Sequence, residues 1–202
     1  MDDWKGLIKD LNRHGWKPDM NRAAVLFIDC QEYFRGMFTP ILGNITDVIR
    51  AAREKQIPLF FTQHGHRPDE EPNMLGAWWA DIIMQDTPEA QLIPELEITK
   101  GDTIISKSTY SAFHKTHLEK QLRDMGVQDL IIGGVMTNLC CETSARDAFV
   151  RNFRVFFLAD GTATADPDYQ LATLRNLSFG FATLMTCDQL VRTLQRRPSR
   201  VP

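Results

Sequence analysis

Six short apolar runs set the terms on which this chain can fold. They are Ala23-Ala24-Val25-Leu26-Phe27-Ile28, Pro58-Leu59-Phe60-Phe61-Thr62, Thr103-Ile104-Ile105-Ser106, Asp129 to Gly133, Val155-Phe156-Phe157-Leu158 and Ala182-Thr183-Leu184-Met185. A strand with one wet face alternates polar and apolar residues. A strand buried on both faces, as in a parallel sheet, reads as a continuous apolar run. Parallel neighbours need crossover connections, and the intervening segments offer helices. Gly43 to Gln56 places Ile45, Val48, Ile49 and Ala52 on one side, and Leu118, Leu122 and Met125 share a face that Gly126 brings to a stop. Asn138 to Phe149 is helix-compatible. Asp166-Pro167 is an N-cap followed by proline at the first helical position, opening a helix through Leu171, Leu174 and Leu177. Thr186-Cys187-Asp188-Gln189 has capping-box spacing, and Leu190, Val191 and Leu194 follow it. The pattern predicts an α/β domain with a six-stranded, mainly parallel sheet flanked by helices.

Ahead of the first run, Trp4, Leu7, Ile8 and Leu11 fall at i, i+3, i+4 and i+7, which predicts a short amphipathic helix. Its stripe could dock on the parent domain or on a second subunit. Residues 63–100 are irregular, rich in proline and carry Trp78-Trp79; a segment of this length inside a domain is usually a lid or a pocket wall.

At 202 residues the chain is expected to form one domain over 1–202, with a helical extension at 1–20 and a frayed tail at 196–202. A hydrophobic share of 43% against 24% charged argues against disorder, and a net charge of -3 offers no field for nucleic acid. Met1-Asp2-Asp3-Trp4-Lys5 puts acid where a signal peptide needs base, and no apolar run is long enough to span a membrane. Cys30, Cys140, Cys141 and Cys187 include no C-x-x-C pair, so free thiols in a reducing cytoplasm are the simplest expectation.

Chemistry gathers at the predicted strand ends, where ligands bind in open parallel sheets. Asp29, Lys107 and Cys140 each follow one: an acid, a base and a thiol. Taken singly, Asp29 caps a turn, Lys107 reaches solvent and Cys140 packs; together they suggest a site. In Ile131-Ile132-Gly133-Gly134-Val135-Met136-Thr137-Asn138-Leu139-Cys140, strand, tight turn and helix follow one another, and Cys140 arrives at the helix's first turn. Unpaired N–H groups and the positive end of the helix dipole there would favour a thiolate. Cys141 points about 100° away along the helix, Cys30 faces the other side of its strand from Asp29, and Cys187 lies on the last helix's apolar stripe. All three read as structural.

Phe27-Ile28-Asp29-Cys30-Gln31, Ser106-Lys107-Ser108-Thr109-Tyr110-Ser111-Ala112-Phe113 and Gly134-Val135-Met136-Thr137-Asn138-Leu139-Cys140 resemble the three signature segments of the isochorismatase-like cysteine hydrolases. That superfamily includes nicotinamidases, N-carbamoylsarcosine amidases, ureidoacrylate and streptothricin hydrolases, and isochorismatases. The resemblance runs from Ala23 to Leu194 and implies a Rossmann-like three-layer sandwich. It implies a catalytic triad of Cys140, Asp29 and Lys107, and an oxyanion hole formed by the backbone N–H groups of Met136 and Cys140 beside a cis peptide between Val135 and Met136. Such a triad cleaves an amide through a thioester: Asp29 takes and returns a proton, and Lys107 holds Asp29 ionised.

The segment Met136 to Thr143 most resembles plant-type nicotinamidases and their bacterial relatives. Nicotinamidases resemble Asp-x-His after the second strand, with further histidines downstream. Here His64 stands at the Asp position before Gly65-His66, and no histidine follows until His114 and His117. A zinc site normally needs three protein ligands, so His64 and His66 are weak candidates and neither metal nor other cofactor is expected. Gln31, Phe34, Trp78, Trp79, Tyr110 and Phe113 lie near the signature segments and are candidate walls for a small, flat substrate.

Hydrolysis of a small-molecule amide is the leading expectation. Isochorismatase activity on a vinyl ether is the alternative: isochorismatases resemble this chain at Tyr110-Ser111-Ala112-Phe113, but carry glycine where Cys140 stands. A non-catalytic scaffold that kept the fold is the alternative of another class, which the intact Asp29, Lys107 and Cys140 oppose. No G-x-G-x-x-G follows the first strand to suggest a dinucleotide enzyme. The resemblance, with the Trp4 to Leu11 stripe, also suggests a homo-oligomer, a dimer or tetramer, with a small molecule as the other partner.

Overall fold

Each apolar run forms a strand, and the strands run parallel in one sheet. In a computed structural model, residues 4–69 and 74–195 are described; the tail expected to fray lies outside them. Along the chain the elements are α1 (Trp4–Leu11), β1 (Ala23–Ile28), α2 (Arg35–Phe38), α3 (Leu42–Glu54), β2 (Leu59–His64), α4 (Met74–Trp79), β3 (Thr103–Lys107), α5 (Leu118–Asp124), β4 (Asp129–Val135), α6 (Glu142–Val150), β5 (Arg154–Ala163), α7 (Pro167–Gly180), β6 (Ala182–Met185) and α8 (Cys187–Gln195). The strand order is β3-β2-β1-β4-β5-β6, with parallel pairing throughout. This is the doubly wound Rossmann order, whose winding reverses between β1 and β4.

Period-two alternation divides the buried strand residues between two cores. Ala24, Leu26 and Ile28 of β1 join Leu130 and Ile132 of β4 beneath α1, α5, α6 and α7. Ala23, Val25 and Phe27 join Ile131 and Phe61 beneath α2, α3 and α8. The result is the three-layer sandwich, with helices on both faces of the sheet.

Several boundaries differ from those expected. β5 does not close at Asp160-Gly161. It continues to Ala163 through an irregularity, with Ile132 opposite Phe157 but Gly134 opposite Thr162. There Asp160 works as a joint: its carbonyl accepts from Asn44 and its carboxylate accepts from the Cys187 N–H at the start of α8. α5 ends one residue before Met125, which is exposed rather than packed, and Gly126 makes the stop with φ of 70°. Among the described residues of 63–100 are α4 and two short 3₁₀ turns; a bridge from Gln31 to Leu92 pins the segment to the body, and one from His66 to Met84 folds it on itself.

Leu7, Ile8 and Leu11 of the N-terminal stripe dock on their own chain, and the Trp4 side chain lies outside what is described. Ile8 is buried in the main core, with Leu7 and Leu11 packed against it beside α7 and β6.

Candidate active site

Four strand ends meet in a row. Lys107 closes β3, His64 closes β2, Asp29 follows β1, and Cys140 sits in the turn after β4. Asp29 turns the chain in the left-handed region, with φ of 48°, a conformation that aspartate tolerates better than most residues. Thr62 fixes it on both sides: the Asp29 N–H donates to Thr62 Oγ1 at 2.9 Å, and that hydroxyl donates to Asp29 Oδ1 at 2.5 Å. Lys107 Nζ donates to Asp29 Oδ2 at 2.7 Å, to the Thr109 carbonyl at 2.9 Å and to Cys140 Sγ at 3.5 Å. All three side chains are buried.

The turn holding Cys140 depends on glycine. Gly134 has φ of 113°, and a Cβ there would lie 2.1 Å from the Ile28 carbonyl oxygen, so β1 and β4 could not approach as they do. The peptide between Val135 and Met136 is cis. Thr137–Cys141 then forms a π-helical turn instead of continuing straight into α6, with the Leu139 and Cys141 N–H groups both donating to the Met136 carbonyl. Such turns are uncommon and collect at functional sites.

Burial, opposed by Lys107 and assisted by Asp29, pushes the Cys140 thiol up to about 12. Burial thus favours the thiol, against the thiolate that the position after the turn suggested. Lys107 goes the other way. Burial disfavours its ammonium, but the Asp29 carboxylate and the Cys140 sulfur outweigh burial and raise its pKa. Cys30, Cys141 and Cys187 are buried, and burial raises each well above an ordinary thiol.

Cys140 and Asp29 open onto a cavity of about 330 Å³, mostly apolar, with walls that also include Tyr33, Phe34, His64, Leu75, Trp79, Asp81, Ile82, Ile83, Tyr110, Met136 and Leu139. Trp79 Nε1 donates to the Tyr110 hydroxyl at 2.7 Å, joining α4 to the loop after β3. Of the six candidate wall residues, Phe34, Trp79 and Tyr110 line the cavity and three do not. Gln31 is wholly buried, and its amide clamps backbone: Nε2 donates to the His64 and Ala90 carbonyls, and Oε1 accepts from the His64 N–H. Phe113 packs into the core against Phe153, ring centroids 6.0 Å apart. Trp78 faces outward over an adjoining groove with Met74 and Thr109. Sequence reasoning missed Tyr33, Leu75, Asp81, Ile82, Ile83 and Leu139 as walls, and Thr62 as the residue that orients Asp29. A polar residue ending the apolar run Pro58 to Phe61 was the available signal for Thr62.

His64 and His66 stack edge to face, 5.3 Å between ring centroids. Among the described residues no group of three His, Cys, Asp or Glu side chains is placed to hold a metal ion, and two histidines alone fall short of the three protein ligands of a zinc site. Burial, with Lys107 nearby, pushes His64 down to about 4, leaving a neutral imidazole in the cavity wall.

The chain matches the family model described as Isochorismatase domain over residues 23–189. It is 46% identical to Nicotinamidase 3 of Arabidopsis thaliana over 180 residues, covering 88% of this chain and 91% of that protein. It is 29% identical over 198 residues to Isochorismatase of Bacillus subtilis, covering 94% of this chain and 64% of that longer protein. The crystal structure of a cysteine hydrolase from Pseudomonas syringae pv. phaseolicola superposes with a TM-score of 0.85 at 27% identity, over 89% of this chain and 95% of that one.

Proposed function

This chain belongs to the isochorismatase family, and from that premise we propose that it is a cysteine hydrolase cleaving the C–N bond of a small-molecule amide, with Cys140, Asp29 and Lys107 as its catalytic triad. The observation that carries this reading is the Lys107 ammonium, in contact with both Asp29 and Cys140 in a buried setting. Proton transfer from the thiol to Asp29 turns a carboxylate and a neutral thiol into a neutral acid and a thiolate. The net charge beside Lys107 is unchanged, so one cation stabilises the site before and after the transfer.

The sulfur then attacks the carbonyl carbon, and backbone N–H groups of Met136 and Cys140 hold the oxyanion. Those of Leu139 and Cys141 are already engaged by the Met136 carbonyl. Asp29 passes its proton to the amide nitrogen, the C–N bond breaks and the amine or ammonia leaves a thioester. Asp29 next takes a proton from water, the hydroxide adds, the C–S bond breaks and the proton returns to Cys140.

The test is one panel, run on wild type and Cys140→Ala. Ammonia is measured from nicotinamide and from carbamoyl and ureido compounds, ring opening of streptothricin-type lactams by the mass gain of one water, and pyruvate from isochorismate. Cysteine-dependent ammonia release from one amide is expected. Equal turnover by Cys140→Ala would remove covalent catalysis, and pyruvate release alone would favour the vinyl-ether reaction, to which the similarity with the Bacillus protein lends support. In this reading residues 1–202 act as one domain. Four free cysteines suit a reducing cytoplasm, and a dimer or tetramer is tested by light scattering.

A further inference from the structure

We propose that Asp81, held by Tyr33, is the specificity-determining residue of the cavity: a fixed negative charge that admits uncharged or cationic amides and turns away anionic substrates and the carboxylate product. The inference rests on the amide-hydrolysis reading and extends it to the class of substrate.

The argument is a charge inventory of the cavity wall. Two carboxylates line it, Asp29 and Asp81. Asp29 is neutralised from behind by Lys107, whose ammonium is divided among Asp29, the Thr109 carbonyl and Cys140 and does not itself line the cavity. His64, the remaining basic group in the wall, is held neutral by burial and by the charge of Lys107. No lysine or arginine lines the cavity among the described residues. Asp81 Oδ2 accepts a hydrogen bond of 2.8 Å from the Tyr33 hydroxyl, which orients the carboxylate. Among the described residues no cation pairs with it. Asp81 is exposed at the mouth of the cavity, where water and salt screen it in part; an occupant carrying its own carboxylate would still meet a like charge there, with no lysine or arginine among the wall residues to offset it.

Hydrolysis creates that charge. The amide enters neutral, and the acid formed from the thioester ionises to a carboxylate in the same cavity. Asp81 then favours departure of the product, and it disfavours isochorismate, which is already anionic.

Isophthalamide and 3-carbamoylbenzoate separate charge from shape. They are nearly isosteric aromatic amides, one neutral and one anionic, and the second is what remains when the first loses one ammonia. Binding of both is measured by calorimetry, and ammonia release by a coupled assay, for wild type and Asp81→Asn at low and high salt. Expected are preference for isophthalamide by about threefold to fivefold at low salt, a smaller preference at high salt, and loss of most of that preference in Asp81→Asn. Wild type should release the second ammonia of isophthalamide more slowly than the first, a difference that Asp81→Asn reduces. Equal handling of the two compounds by wild type, or a preference untouched by both Asp81→Asn and salt, overturns the charge filter while ammonia release leaves the amidase reading standing. Discrimination in binding with no ammonia from either compound supports the filter and counts against the amidase reading. Failure of both compounds to bind overturns the filter.

Discussion

Burial keeps the Cys140 proton on sulfur, and the two groups beside it decide where it goes next: Asp29 can accept it, and Lys107 can stabilise the anion left behind. Reactivity without substrate should follow that balance. Alkylation of Cys140 by iodoacetamide, followed by mass spectrometry, is expected to accelerate steadily through pH 9–10, because the thiol is pushed up to about 12. A plateau near pH 8.5 would show an ordinary, exposed thiol instead. Cys141 provides the control: it is wholly buried, with its sulfur facing the Gly133 carbonyl. Cys141→Ala should leave kcat within a few-fold of wild type, whereas Cys140→Ala should lose a factor of about 10³ or more.

His64 sets a second pH effect, on stability. Its pKa falls from 6.5 to about 4 on folding, so between those values the unfolded chain binds the extra proton. Stability is full above pH 6.5 and declines as pH falls toward 4, by up to about 3 kcal/mol. Urea midpoints at pH 7 and pH 4.5 should therefore differ less for His64→Gln than for wild type. An equal difference in both proteins would assign the acid sensitivity to other groups.

Among the elements, α6 serves the site twice: the turn at its start carries Cys140, and its body anchors the loop after β3. The Ala112 N–H donates to Ser144 Oγ at 3.0 Å, and Ser111 Oγ donates to Asp147 Oδ2 at 2.5 Å. That loop supplies the Thr109 carbonyl that holds Lys107 and the Tyr110 wall of the cavity. Ser144→Ala would leave the buried Ala112 N–H without its acceptor, a loss of about 1–3 kcal/mol, and should lower kcat/KM several-fold by loosening Lys107. Denaturation and steady-state kinetics check the two halves of that expectation. A stability loss with unchanged kinetics would separate the loop from the chemistry.

Elements of this kind were legible to different degrees, for physical reasons. The buried strands carried their own signal, since a run such as Val25 to Ile28 has no other place in a folded chain. The strand ends followed, and with them Asp29, Lys107 and Cys140. The continuation of β5 was hidden because Asp160-Gly161-Thr162 reads as a turn, and only the joint between β5, α3 and α8 shows what those polar groups do. The cavity walls were legible only in part. Phe34, Trp79 and Tyr110 announce themselves as aromatics, but proximity to a signature segment does not separate a wall from a clamp such as Gln31 or a core residue such as Phe113. Asp81 lies in irregular chain, where no periodicity fixes the direction of a side chain.

At the scale of the whole molecule, the N-terminal helix solves an edge problem. β6 is the last strand of the sheet, and an open edge invites pairing with another chain. The Asn12 side chain occupies part of that edge as a short backbone would: Nδ2 donates to the Leu184 carbonyl at 2.9 Å, and Oδ1 accepts from the Leu184 N–H at 2.8 Å. The hydrophobic side of α1 seats the helix that brings Asn12 there, with Ile8 buried in the core and Leu7 and Leu11 beside it. Ile8 therefore contributes to the stability of one chain, and its burial lends no weight to a subunit interface along this stripe. Ile8→Ala should lower unfolding free energy by about 2–4 kcal/mol, by a transition whose midpoint does not vary with protein concentration. The solution mass should stay that of wild type, and kcat should change little, because α1 packs on α7 and β6 at the β6 edge of the sheet, away from the β3-β2-β1-β4 ends that carry the site. A midpoint that rises with concentration, or a variant of lower solution mass, would instead place this helix between subunits.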